Sequence, residues 1–232
     1  MRSTDLPEVR ALPLFESMAE ANFESLMQAA YLQIFPAQLE LIKEGEPADF
    51  LYVVLDGCVE LYASWNGHET VMEMVRPLGT FILAAVLKDA VYLKSGRTSQ
   101  RSKLLLIPAE NVREAFRNDG AFARAIVEEL AGCYREVVKQ QKDLKLRTAV
   151  ERLANCLLAL DGEQHGCGSV ELPCDKRTLA SLLGMTPENL SRAFNTLKPY
   201  GVEVDGARIR LRDVTSLARL AKPTPLIDDA RL

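Results

Sequence analysis

Between about residues 34 and 107, apolar and polar positions alternate and are punctuated by turn residues, a pattern that predicts strands. A short helical lead-in, Asn22 to Leu32, precedes them. Phe50-Leu51-Tyr52-Val53-Val54-Leu55 stops at Asp56-Gly57, and Val59-Glu60-Leu61-Tyr62-Ala63 then runs to Asn66-Gly67. Asn-Gly is the strongest short hairpin signal, because both residues tolerate positive φ, and Thr70 to Val75 supplies the returning strand. With Leu104-Leu105-Leu106-Ile107 ahead of Pro108, the pattern is a β-meander that closes into a small β-roll or barrel.

From Ala109 the period becomes helical as far as about Leu144, with a break at Asn118-Asp119-Gly120. Beyond the break, Phe122, Ile126, Leu130, Cys133 and Val137 recur at steps of 4, 4, 3 and 4, one narrow apolar stripe flanked by charge. Such a stripe suits a partner helix in a two-stranded seam, and equally suits packing on the chain's own β-roll. A further helix, Arg147 to Leu160, leads to Asp161-Gly162 and a short strand, Ser169 to Leu172.

Two short helices follow, Asp175 to Leu183 and Pro187 to Leu197, separated by Gly184-Met185-Thr186. Leu179, Leu182 and Leu183 are inward positions of the first, and Ala180 is small enough for a close helix crossing. Thr186 is placed to cap the second helix, Pro187 stands at its first position, and Leu190, Ala193, Phe194 and Leu197 form its apolar face. This is the outline of a helix-turn-helix, although an ordinary helical hairpin with a solvated face shares it. The outward face offers Glu188, Asn189, Ser191, Arg192 and Asn195; Glu188, Ser191 and Arg192 are side-chain types that read cytosine, several bases and guanine. Lys176, Arg177, Lys198, Arg208 and Arg210 are candidate phosphate contacts. Gly201 to Leu211 alternates around an Asp205-Gly206 turn, and the proline-bearing tail from Pro223 to Leu232 is expected to be loosely held. The expected domains are 1–120, a linking helix and hinge at 121–145, and 146–232.

Charge sharpens this division. The chain carries a net charge of −4, which is unpromising for a nucleic-acid binder, yet Leu146 to Lys222 holds 11 Lys and Arg against 9 Asp and Glu, the remainder 17 against 23. The five cysteines, Cys58, Cys133, Cys156, Cys167 and Cys174, show no CxxC spacing, so neither a disulfide framework nor a structural zinc site is expected. No apolar run approaches the ~18–20 residues of a membrane helix. Met1-Arg2-Ser3-Thr4-Asp5-Leu6-Pro7 lacks a signal-peptide core, and a cytoplasmic protein without membrane association is expected. No catalytic grouping or phosphate-cradling loop is present, so an enzyme is not expected.

Order and spacing together resemble the Crp/Fnr superfamily from about Leu14 to Leu220. Residues Gly45 to Val59, reading GEPADFLYVVLDGCV, are similar to that family's first β-roll hairpin, and GMTPENLSR at Gly184 to Arg192 is similar to its recognition-helix motif. The resemblance implies an α+β chain: a cyclic-nucleotide-binding-type β-roll, a long dimerisation helix and a winged helix-turn-helix. It implies a homodimeric transcription regulator that works with RNA polymerase. The Glu-x-x-Ser-Arg pattern of Glu188, Ser191 and Arg192 resembles the Fnr branch and implies an inverted repeat like TTGAT-N4-ATCAA, its halves about 34 Å apart. A nucleotide-type module acting on a protein partner is the alternative.

For the sensor, the departures from the family matter most. Cyclic-AMP-binding members carry a Gly-Glu-Leu element and an Arg-Ser or Arg-Thr pair; here Gly79-Thr80-Phe81-Ile82-Leu83-Ala84 lacks the glutamate, and Tyr92-Leu93 stands at the pair. Arg97-Thr98 would substitute only with a five-residue shift in register. Cyclic AMP is therefore not expected. No cysteine precedes Cys58, which excludes the Fnr-type iron-sulfur cluster, and what remains resembles the nitric-oxide-responsive Dnr/NnrR group, implying haem. Phe81, Ile82, Leu83 and Tyr92 are the expected lining of an apolar effector pocket. No haem ligand is named: His68 and His165 read as turn residues, Cys58 and Cys133 as small core or seam residues.

Overall fold

A computed structural model describes residues 6–229; Met1–Asp5 and Ala230–Leu232, the outer ends of the readings made for the N-terminus and the tail, lie outside the described residues. The chain forms two compact units, one ending at Cys133 and the next beginning at Tyr134.

The first unit opens with helices α1 (Leu6–Arg10) and α2 (Glu20–Gln28), then strands β1 (Tyr31–Phe35), β2 (Glu40–Ile42), β3 (Phe50–Asp56), β4 (Val59–Trp65), β5 (His68–Val75) and β6 (Thr80–Phe81). A short helix α3 (Leu83–Lys88) interrupts the strands before β7 (Ser95–Thr98) and β8 (Ser102–Pro108), after which come α4 (Ala109–Asn118) and α5 (Gly120–Leu146). The strands make two antiparallel four-stranded sheets, in the orders β1-β8-β3-β6 and β2-β7-β4-β5, the two layers of the expected β-roll. Asn66 and Gly67 have φ of 50° and 77°, the double positive φ that a two-residue turn between β4 and β5 requires. Tyr31 and Leu32 belong to β1, paired with Leu106 and Leu105, and not to the lead-in helix that their local pattern suggested.

Asp119 explains the break before α5. Its carboxylate accepts from the Phe122 main-chain N–H, from Ala19 N and from Asn22 Nδ2, each at 2.9 Å, so it starts α5 and ties that start to α2. Burial works against the charge, but these donors outweigh it and hold the carboxyl below the usual range.

The apolar stripe on α5 needs correction. Phe122 and Ile126 are fully buried in the first unit's own core, Phe122 stacked on Phe15 with ring centroids 6.0 Å apart. They cannot face a partner helix, because the first turns of α5 are packed on the β-roll. Leu130 is half-buried, and Cys133 and Val137 are exposed. The outward apolar series is rotated from the expected one: Val127, Leu130, Tyr134 and Val137, at steps of 3, 4 and 3, with Val127, Tyr134 and Val137 58%, 70% and 61% exposed.

The second unit continues from the last turns of α5 to α6 (Ala149–Glu163), β9 (Ser169–Glu171), α7 (Lys176–Leu182), α8 (Pro187–Leu197), a 3-10 turn at Lys198–Tyr200, β10 (Val202–Asp205), β11 (Arg208–Leu211), α9 (Val214–Ala221) and α10 (Pro225–Asp228). Thr148 and Glu151 form a reciprocal capping box at the start of α6. Leu153, Leu157, Leu179, Leu190, Leu197, Ile209 and Leu217 are at most 2% exposed and make this unit's core; β10, β11 and β9 form its antiparallel sheet. The tail is not loosely held as far as Asp229: α10 and the residues beside it are bonded to α5 and to Arg147, as set out below. Among the described residues, no helix is long and apolar enough to cross a membrane.

Candidate nucleic-acid interface and effector segment

Helices α7 and α8 each begin with a side-chain cap. Asp175 accepts from Thr178 N at 2.7 Å, and Thr186 from Asn189 N at 3.2 Å with Pro187 at the first helical position. Between them, Gly184 takes φ +59°, so the turn favours glycine for its conformation, while a Cβ there would meet only the movable tip of Leu144. Leu190, Ala193, Phe194 and Leu197 are buried as expected, which turns Glu188, Asn189, Ser191, Arg192 and Asn195 outward. In α7 the buried side chains are Thr178, Leu179 and Ala180, with Leu182 and Leu183 only half-buried.

The reading face is chemically ready. The N–H at the start of α8 and the Thr186 hydroxyl draw the Glu188 carboxyl below its ordinary range, so it is an anionic acceptor near neutral pH. Arg192, one turn on, is fully outward and in no ion pair among the described residues, its five donors available to a guanine edge. Lys176 and Arg177 are exposed at the start of α7, with the Lys176 ammonium 5.9 Å from the Phe194 ring. Lys198 is exposed at the far end of α8 from Glu188. Arg208 and Arg210 alternate on β11 with buried Ile209 and Leu211, so both point away from the core. Arg212 is instead turned to Glu203 at 3.1 Å.

Sequence reasoning missed Arg152. It is 9% exposed, and its guanidinium donates to Leu183 O at 2.8 Å, Gly184 O at 3.3 Å and Arg147 O at 2.8 Å. One buried fork therefore holds the helix-turn-helix turn against the entry to α6. The available signal was a cation lying beside Leu153 and Ala154 on an otherwise apolar helix face.

In the first unit, Gly79 to Leu87 forms β6 and α3 around Ile82, whose φ of 71° puts a β-branched residue in the left-handed region. That conformation costs on the order of 1–3 kcal/mol. The expected pocket lining needs correction: Phe81, Leu83 and Tyr92 are 3%, 4% and 4% exposed and belong to the core, with Phe81 stacked on Tyr52 at 4.9 Å. Side chains that fill a core do not line an apolar opening; only Ile82 is half-buried. A cleft of about 500 Å³ opens elsewhere, among Pro47, Asp49, Asp89, Val91, Glu110 and Arg113.

The basic and hydroxyl groups of Thr80, Lys94, Arg97 and Thr98 are already engaged. Arg97 pairs with Glu60 at 2.9 Å and Glu69 at 2.8 Å and lies over the Tyr62 ring, while Thr98 Oγ1 donates to Pro36 O at 2.7 Å. Arg97-Thr98 therefore offers no open phosphate pair. Lys94 is bound to Glu73 at 2.8 Å. Thr80 Oγ1 donates to Glu129 Oε1 on α5 at 2.9 Å, a direct bond from the strained segment to the long helix.

Residues 151–220 match the family model of the Crp-like helix-turn-helix domain, and residues 32–119 that of the cyclic nucleotide-binding domain. A CRP-like cAMP-activated global transcriptional regulator of Mycobacterium tuberculosis is 22% identical over 216 residues, covering 90% of this chain and 96% of the relative. The structure of FixK2 from Bradyrhizobium japonicum is 25% identical with a TM-score of 0.71, covering 84% of this chain and 98% of that one. DNR from Pseudomonas aeruginosa shares the fold at 23% identity and a TM-score of 0.51, covering 94% and 98%.

Proposed function

Because the chain belongs to the Crp/Fnr family of DNA-binding transcription regulators, with a cyclic nucleotide-binding-type sensor ahead of its helix-turn-helix, we propose that it reads an inverted repeat resembling TTGAT-N4-ATCAA as a homodimer, with RNA polymerase as its further partner. The outward face of α8 carries this reading: an ionised Glu188, a short Ser191 and an exposed Arg192 spaced to meet successive base edges. Lys176, Arg177, Lys198, Arg208 and Arg210 supply phosphate contacts that fix position without reading sequence. Dimerisation uses the exposed Val127, Tyr134 and Val137 with half-buried Leu130, a series that repeats as a two-stranded seam requires.

The effector in this reading acts at the β6–α3 segment and is not cyclic AMP. Strain at Ile82 and the Thr80–Glu129 bond support that choice, since a ligand that relaxes the first also disturbs the second. Neither histidine is placed to hold haem. An axial ligand has to sit beside an apolar opening, but His68 and His165 are exposed, His165 belongs to the other unit, and Phe81, Leu83 and Tyr92 are packed into the core.

Mobility shift at fixed salt tests the operator reading. The complete inverted repeat is expected to bind at least tenfold more tightly than one half-site of equal length, as a two-fold dimer demands. Equal affinity for the two DNAs would defeat the dimeric reading.

A further inference from the structure

The joint between α5 and α6 consists of two residues, Arg147 and Thr148. Arg147 is held from two sides. Its carbonyl accepts from Arg152, the same guanidinium that grips Leu183 O and Gly184 O at the helix-turn-helix turn. Its side chain, 8% exposed, makes a fork onto the Asp228 carboxylate of α10 at 2.7 and 2.6 Å and reaches back to Asp143 at 2.9 Å. A parallel two-bond pair of this kind fixes direction as well as distance.

The tail is tied to α5 at two more points. Lys139 Nζ donates to Asp229 O at 2.6 Å and Lys142 Nζ to Leu226 O at 3.2 Å, cations on the open carbonyls at the end of a short helix. Thr224 N donates to Asp228 Oδ2 at 2.6 Å, which orients the carboxylate toward Arg147. Hydrogen bonds donated to Asp228 raise the Arg147 guanidinium further above its already high value and lower the carboxyl, so the pair stays charged at any ordinary pH.

We propose that α10 is a strap that locks the α5–α6 joint. Arg147 is the shared residue, bound by its side chain to the tail and by its carbonyl to Arg152, which in turn holds the helix-turn-helix turn. The strap makes residues 225–229 a positioning device for the DNA-reading unit, although they lie outside the matched helix-turn-helix segment. It requires no particular effector or operator.

Amide hydrogen exchange on the full-length protein, without DNA or added ligand, tests this independently of the operator reading. Asp228→Ala, and separately a chain ending at Lys222, are expected to speed exchange across residues 139–148 by about fivefold or more. Asp228→Glu, which keeps a carboxylate, is expected to stay close to the unaltered protein. Unchanged exchange at 139–148 in both variants would overturn the strap. So would acceleration shared equally by α6, α8 and β11, which would make the tail an ordinary part of the core.

Discussion

The outward face of α8 and the β6–α3 segment are both functional candidates, and they treat polar groups in opposite ways. On α8, Arg192 and Ser191 carry hydrogen-bonding capacity that the fold leaves outward. In the sensor unit, Thr80, Lys94, Arg97 and Thr98 are all bonded inside the unit, and Phe81, Leu83 and Tyr92 are packed into its core. A surface that reads DNA must be complete before its ligand arrives, whereas a segment that answers an effector has to be bonded in one state in order to be released in another. The first therefore displays its chemistry; the second conceals it.

The largest effect expected of a single change lies in the sensor unit. Phe122→Ala removes a fully buried ring and should destabilise the first unit by about 3–5 kcal/mol in denaturant unfolding. Tyr134→Glu with Val137→Glu, on the exposed side of α5, should instead give folded monomers by sedimentation. Dimers surviving the second change, or a loss well under about 1 kcal/mol from the first, would reverse the assignment of the two faces of α5.

Asp119→Ala comes next, with an expected loss of about 2–3 kcal/mol, since three donors are left without their charged acceptor. The sign with pH follows from its lowered folded-state pKa. The stabilisation is complete above the unfolded-state pKa and is lost as pH falls through the folded one. Acid titration of first-unit stability should thus show a decline below about pH 4 that the variant lacks. Parallel curves would rule out Asp119 as the source.

In the DNA-reading unit the expected effects are smaller and more selective. Arg192→Ala should cost about 1–3 kcal/mol at one guanine and flatten discrimination there in competition binding. The smallest effect belongs to Arg177→Ala, which should weaken all sequences alike and reduce the slope of log K against log salt by about one unit. Should Arg177→Ala alter base preference while Arg192→Ala did not, the reading and positioning roles would have to be exchanged.

Local chemistry was legible in the sequence and long-range packing was not. Asn66-Gly67, the break at Asp119, the Thr186-Pro187 helix start and the glycine turn at Gly184 all depend on what a few adjacent residues can do, and each stands where its residues indicate. Tyr31 and Leu32 resemble the end of a helix locally and become strand because β8 pairs with them. The run from Phe81 to Leu87 carries no internal punctuation, so its division into β6 and α3 at Ile82 was not readable. Which side of α5 meets the β-roll depends on where Phe15 lies, and the docking of the tail on a fork between Arg147 and Asp228, neither of which marks a site alone. The outward polar face of α8 was legible because a helix start, an apolar stripe and a polar stripe coincide within eleven residues.

The pairing of β1 with β8 also bears on the order in which the polypeptide is made. Tyr31 leaves the ribosome long before Leu106, its cross-strand neighbour, and Glu40 long before Arg97. At about 5–20 residues per second, the interval between β1 and β8 is roughly 4–15 s, ample time for chaperones to engage an unpaired apolar strand. Helices α7 and α8, which touch across a short turn, face a much shorter wait for each other, although α6 must await α8 and α9. During synthesis the open β-roll is therefore an aggregation-exposed stage, one that closes only after β8, ending at Pro108, has been made.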